Sequence, residues 1–233
     1  MTTRATYDLS DSIATITMDD GKVNALSLPM LDELNAALDQ AAKDQAIVIL
    51  TGRPGVFSAG FDLPTLTGGG PDGPKLLRTG FELSERMLSF QMPIVIACSG
   101  HALAMGSFLL LSGDYRIGAD GAFKIGANEV AIGMVMPATA IEICRQRLSP
   151  QYLSRAVNNA EIFSPAGALS AGWLDQCVAP EDLAAAARDR ALALAKLNLQ
   201  AHAWTKLRLR DHALKAIHEA IEVDDAAFRA TAV

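Results

Sequence analysis

The sequence predicts an α/β protein: a core of strands joined by single helices, followed by a mostly helical last third. Three observations predict it. Apolar runs of strand length recur at residues 13–18, 47–52 and 93–98, each next to turn-forming residues. Between them lie segments whose apolar residues return at helical spacing, an order that implies an α/β core with right-handed crossovers. From Ala138 onward helical patterns dominate, interrupted by one short apolar segment, Gln176-Cys177-Val178.

Each element has a local reason. Ile13-Ala14-Thr15-Ile16-Thr17-Met18 alternates and stops at the turn signal Asp19-Asp20-Gly21. Ser27 reads as an N-cap with Pro29 soon after it. Met30, Leu31, Leu34, Ala37, Leu38 and Ala41 then define the apolar face of a helix over 28–43. Ile47 to Gly52 reads as a buried strand, and Val56-Phe57-Ser58-Ala59-Gly60-Phe61-Asp62-Leu63 is the turn that follows it. Residues 65–74 are rich in glycine and proline and read as a mobile loop, with a helix expected over 75–91. The strand at 93–98 leads into Ser99-Gly100-His101-Ala102-Leu103-Ala104-Met105-Gly106-Ser107. Phe108 to Leu111 fits a buried helix, and residues 114–118 and 123–126 fit short strands. No low-complexity linker or internal repeat is evident.

Bulk properties exclude several classes. Half of the 233 residues are hydrophobic and 20% are charged, which is globular rather than disordered. A chain of this length buries enough surface to need no disulfides or metal for its core. The net charge of −6 argues against nucleic acid as the main partner. No apolar stretch approaches a membrane span, and the amino terminus carries no secretory pattern. Cys98, Cys144 and Cys177 stand apart in apolar contexts and read as buried free thiols, which points to a reducing, cytoplasmic setting.

Familiar motifs fail on inspection. Gly68 and Gly73 have P-loop spacing, but Pro74 stands where the lysine belongs and Lys75 comes one place late. There is no serine nucleophile elbow and no GxGxxG at the first helix. His101, His202, His212 and His218 form no metal-ligand pattern, so no metal is expected. His101, inside the second turn, reads as a structural residue, with lining the site as the second reading. The two strand-to-turn junctions remain. Each can aim a backbone N–H at one point, and two such donors make an oxyanion hole.

Together the junctions resemble those of the crotonase, or enoyl-CoA hydratase/isomerase, superfamily. The resemblance runs over roughly residues 5–230. Residues 57–63 resemble the first oxyanion-hole segment and residues 99–106 the second. Asp114-Tyr115-Arg116-Ile117-Gly118, Asn128-Glu129-Val130-Ala131-Ile132-Gly133 and residues 166–175 resemble later blocks, in the right order. The resemblance implies a crotonase-like spiral of ββα units over residues 1–180, with a C-terminal helical trimerisation region over 181–233. It implies an acyl-CoA thioester as substrate, with no cofactor beyond the coenzyme A of that substrate, and a homotrimer or dimer of trimers. It also implies site roles. The N–H groups of Ala59 and Met105 hold the thioester oxygen, and Glu129 is the general acid/base. Ser58, Gly60, Phe61, Asp62, Gly106 and Phe108 meet the substrate, the two glycines by allowing close backbone approach.

The pattern also departs from the family. Hydratases of the family carry a second glutamate two residues past the second turn, and Phe108 occupies that position. Phenylalanine can neither move a proton nor orient water. One carboxylate suffices to move a double bond, so the resemblance implies Δ3,Δ2-enoyl-CoA isomerisation. Hydration, thioester hydrolysis and acyl-CoA binding without chemistry stand as alternatives. Asn128 replaces a common proline, and Pro137 comes a residue late. Glu142 is read as paired with Arg145 or Arg147, with a functional role as the second reading. The cations of Trp204-Thr205-Lys206-Leu207-Arg208-Leu209-Arg210 are read as a solvated helix face, with a contact from Lys206 or Arg208 to the coenzyme A phosphates as the second reading.

Overall fold

A tight turn at Asp11 and Ser12, both at positive φ, folds strand β1 (Ala5–Ser10) back on β2 (Ile13–Met18). The computed structural model describes residues 3–231. After the two-residue strand β3 (Ala25–Leu26), helix α1 (Leu28–Lys43) begins where Ser27 Oγ accepts the Met30 N–H at 3.4 Å, the cap expected from the sequence. Its face of Met30, Leu31, Leu34, Ala37, Leu38 and Ala41 is buried.

The chain continues through β4 (Ile47–Gly52), β5 (Gly55–Ser58), β6 (Gly60–Phe61), α2 (Leu63–Thr67) and α3 (Asp72–Ser89). Then come β7 (Ile94–Cys98), β8 (Gly100–Leu103), α4 (Met105–Leu111), β9 (Tyr115–Ala119) and β10 (Ile125–Gly126). Helices α5 (Ala138–Arg145), α6 (Pro150–Val157) and α7 (Pro165–Ala171) precede β11 (Gln176–Val178), and α8 (Leu183–Ala195) and α9 (Leu199–Thr231) close the described chain. The glycine-rich stretch is thus shorter than expected. Asp62 caps α2 by accepting the Thr65 N–H at 3.2 Å, and α3 starts at residue 72.

Six strands form the main sheet in the order β1-β2-β4-β7-β9-β11, parallel except for the β1–β2 hairpin. Each of β4, β7 and β9 runs on into a second strand, β5, β8 or β10, and those three make a smaller parallel sheet. Each of these three turns therefore adds one strand to each sheet before a helix returns it, the expected spiral of ββα units. The main core lies between the large sheet and α1, α3 and α4. A second cluster, including Ile13, Ile47, Ile49, Val95 and Ile117, lies on the sheet's other face under α8.

The C-terminal cations correct the sequence reading. Arg208 is exposed, but Lys206 and Arg210 are buried. Asp114 pairs with Lys206 Nζ at 2.7 Å and with Arg210 at 3.0 Å, and accepts the Ile94 N–H at 2.8 Å. Lys206 also donates to the carbonyls of Phe90 and Met92. It pins α9 at the ends of the strands away from the two turns. Glu142 is paired with Arg145 at 3.2 Å. No described helix is long and apolar enough to cross a membrane. All three cysteines are free; Cys98 and Cys144 are buried, whereas Cys177 is half-buried.

Candidate active site

The two predicted turns meet in space. Gly60 adopts φ +97, and a Cβ there would lie 2.8 Å from Ala104 Cβ and 3.1 Å from Met105 N. A Cβ on Gly106 would lie 2.4 Å from Ser58 O. The close approach expected of these glycines is therefore one turn against the other. Ser58 is buried; its Oγ donates to Asn24 O at 2.7 Å and accepts the Gly60 N–H at 3.2 Å. It holds the turn and does not line the cavity beside it. Asn24 does similar work and was not visible in the sequence. At φ +52 and fully buried, it donates from Nδ2 to Met18 O and Phe57 O. Its one sequence signal is an asparagine close behind the Asp-Asp-Gly turn.

The Ala59 expectation needs correction. Its N–H donates to Val23 O at 3.0 Å and is already committed. The Asp62 N–H donates to Leu26 O at 3.2 Å, so the ladder to β3 takes the amide at 62 and, by strand alternation, turns the Phe61 amide to the opposite side. Met105 is the first residue of α4, where an N–H has no acceptor within the helix. It follows Ala104, a non-glycine residue at φ 48 and ψ −130. The Asp62 carboxylate is occupied as a cap, accepting from Thr65 N and Oγ1.

Beside the two turns lies a cavity of about 290 Å³. Phe61, Leu66, Leu77, Phe81, Phe108 and Met134 give it an apolar wall, and of its two carboxylates Asp62 is taken up by Thr65 while Glu129 is not. Phe61 meets Phe81 edge-on at 6.0 Å, and Phe81 meets Phe108 at 6.4 Å. The sequence points to the loop 64–74 and the helix 75–91 as shaping this pocket, but does not single out Phe81, Leu77 and Leu66, whose periodicity marks any buried helical face. A larger cavity, about 460 Å³, lies under α8; its one charged side chain, Arg188, pairs with Asp11. The smaller one holds the unpartnered carboxylate oxygen of Glu129. His101 is outside both, its Nδ1 accepting the Lys124 N–H at 3.0 Å.

Glu129 opens a 3-10 turn, Val130–Ile132, and is only 6% exposed. Its Oε2 is buried without a hydrogen-bond partner. Burial pushes its carboxyl up from 4.5 to about 7, against the pull of nearby backbone N–H groups. A carboxylate of that strength, at an apolar cavity facing two backbone turns, can take and return a proton near neutral pH.

Fold and site together set two close-packed backbone turns beside one desolvated carboxylate. The chain belongs to the enoyl-CoA hydratase/isomerase family, the crotonase superfamily, whose model matches residues 8–232. It is 35% identical over 175 residues to the mouse protein named enoyl-CoA delta isomerase 1, mitochondrial, covering 73% of this chain and 60% of that one. It is 33% identical over 163 residues to a probable enoyl-CoA hydratase of Mycobacterium avium, covering 69% of this chain and 63% of that one. The chain thus spans less than two thirds of the length of these relatives. A crystal structure of an enoyl-CoA hydratase/isomerase family protein from Pseudomonas syringae superposes with a TM-score of 0.94 at 49% identity, over 96% of this chain and 97% of that one.

Proposed function

We propose that this protein moves the double bond of a 3-enoyl-CoA into conjugation with its thioester. The observation that carries this reading is Glu129 as the one carboxylate free to act at the cavity, with Phe108 opposite the role a second acid would fill. The N–H groups of Phe61 and Met105 hold the thioester oxygen. Glu129 takes a proton from C2, and the C–H electrons form a dienolate whose oxygen charge those two donors stabilise. A single donor of this kind is worth about 3 kcal/mol. The electrons then return from oxygen, the C2–C3 double bond forms, and Glu129 delivers the same proton to C4. Nothing is consumed, so the cycle calls for no cofactor beyond the coenzyme A carried by the substrate.

A homotrimer, or a dimer of trimers, joined through the C-terminal helices belongs to the same proposal. Trp204 and Leu209 stand exposed on α9, 60% and 82% respectively, where a neighbouring subunit would cover them. The free thiols favour a reducing, cytoplasmic setting.

The test compares isomerisation of 3-hexenoyl-CoA with hydration of 2-hexenoyl-CoA. Isomerisation should exceed hydration by roughly a hundredfold or more, because hydration lacks its second acid/base. Glu129→Gln should lose isomerisation while binding saturated hexanoyl-CoA within a few-fold of the unaltered protein. Full turnover in that variant would overturn the assignment of the base, and faster hydration than isomerisation would overturn the reaction.

A further inference from the structure

Gly80 stands in the middle of the 18-residue helix α3, where glycine costs about 1 kcal/mol relative to alanine. It is buried and needs no positive φ, so backbone freedom does not explain it. What explains it is the Phe61 ring. A Cβ at position 80 would lie 2.3 Å from Phe61 Cε1 and 2.5 Å from Cζ, with Met105 Cε at 3.6 Å. The absent side chain is the notch in α3 that receives the ring.

The ring has α3 on one side and the cavity on the other. Phe61 lines the cavity, and Gly80 does not. Phe81 meets the Phe61 ring edge-on at 6.0 Å and limits movement along the helix. A side chain at 80 can therefore be accommodated only by moving the ring away from α3, into the space shared with Leu66, Leu77 and Phe108. We infer that Gly80 is a specificity-determining residue: by seating Phe61 in α3 it sets the depth of the acyl pocket, and hence the length of acyl chain the protein accepts. This inference rests on the acyl-CoA reading of the site. Gly80 touches neither substrate nor reacting atoms and acts through Phe61.

The test measures binding of saturated hexanoyl-CoA and dodecanoyl-CoA by calorimetry, with kcat/KM on the matching 3-enoyl-CoAs alongside. Gly80→Ala should lower the dodecanoyl-to-hexanoyl affinity ratio by about tenfold or more, the scale on which an apolar pocket discriminates small changes in volume. Adding Phe61→Leu to Gly80→Ala should restore the ratio, since leucine lacks the colliding ring atoms. Phe61→Leu alone keeps the backbone N–H, opens the notch and should raise the ratio; it is read if Gly80→Ala does not fold. An equal loss at both chain lengths marks a merely structural glycine and overturns the inference, as does an unchanged ratio in either single variant. Failure of the unaltered protein to bind either thioester overturns the acyl-CoA reading and this inference with it; binding with an unchanged ratio overturns this inference alone.

Discussion

One oxygen of Glu129 has no partner within the protein, and that shapes both chemistry and stability. A carboxyl whose native value is raised from 4.5 to about 7 favours the protonated form in the folded state. Its contribution is whole below about pH 4.5 and is lost as the pH climbs through 7, where folding must hold a desolvated charge. Glu129→Gln should therefore match the unaltered protein near pH 4 and exceed it near pH 8, by up to about 3 kcal/mol in urea unfolding. A variant that is less stable than the unaltered protein at pH 8 would show that the charge is well solvated. Neighbouring atoms show why residue roles are hard to read from a string of letters. Ala59 and Phe61 flank the same glycine, but only the hydrogen bond from Ala59 to Val23 reveals which amide is committed. Ala104 holds a backbone conformation that costs a non-glycine residue on the order of 1–3 kcal/mol. That strain aims the next amide, at Met105, before any substrate arrives.

At the level of elements, legibility followed the strength of the local signal. Helix α1 was readable to its cap, and the strands at 47–52 and near 94–98 stood out because both faces are buried. Strand β1 was silent: its residues are mostly exposed and polar, so no apolar face marks it. The two junctions were read as turns but contain strands β5, β6 and β8, whose small residues carry little β propensity and depend on pairing. Lys206 was misread for a related reason. A helical pattern gives the face of a cation but not whether another element waits there, and here Asp114 does. That carboxylate offsets two buried cations, Lys206 and Arg210. Asp114→Asn should destabilise the protein by about 3–5 kcal/mol, read as a lower urea midpoint. A loss below about 1 kcal/mol would mean that the cluster is open to water.

Across the whole molecule, the spiral joins residues far apart in the chain. Ile13 pairs with Ile47, Val48 with Ile94, Val95 with Tyr115, and Ile117 with Gln176. Contacts of such long sequence separation close slowly. The cavity borrows from three successive turns of this path, through Phe61, Ala104 and Glu129. No single stretch of the polypeptide carries both turns and Glu129. Ligand capture should therefore be an all-or-nothing late event in refolding: hexanoyl-CoA binding should return with the slowest phase, after far-UV helical signal has recovered. Ligand at a hundred times its dissociation constant should raise stability by about 2.7 kcal/mol. Binding that reappears with the first helical signal would contradict this. On the proposed function, the paired-strand spiral would act as a built-in proofreader of assembly, leaving half-formed chains without a foothold for the thioester.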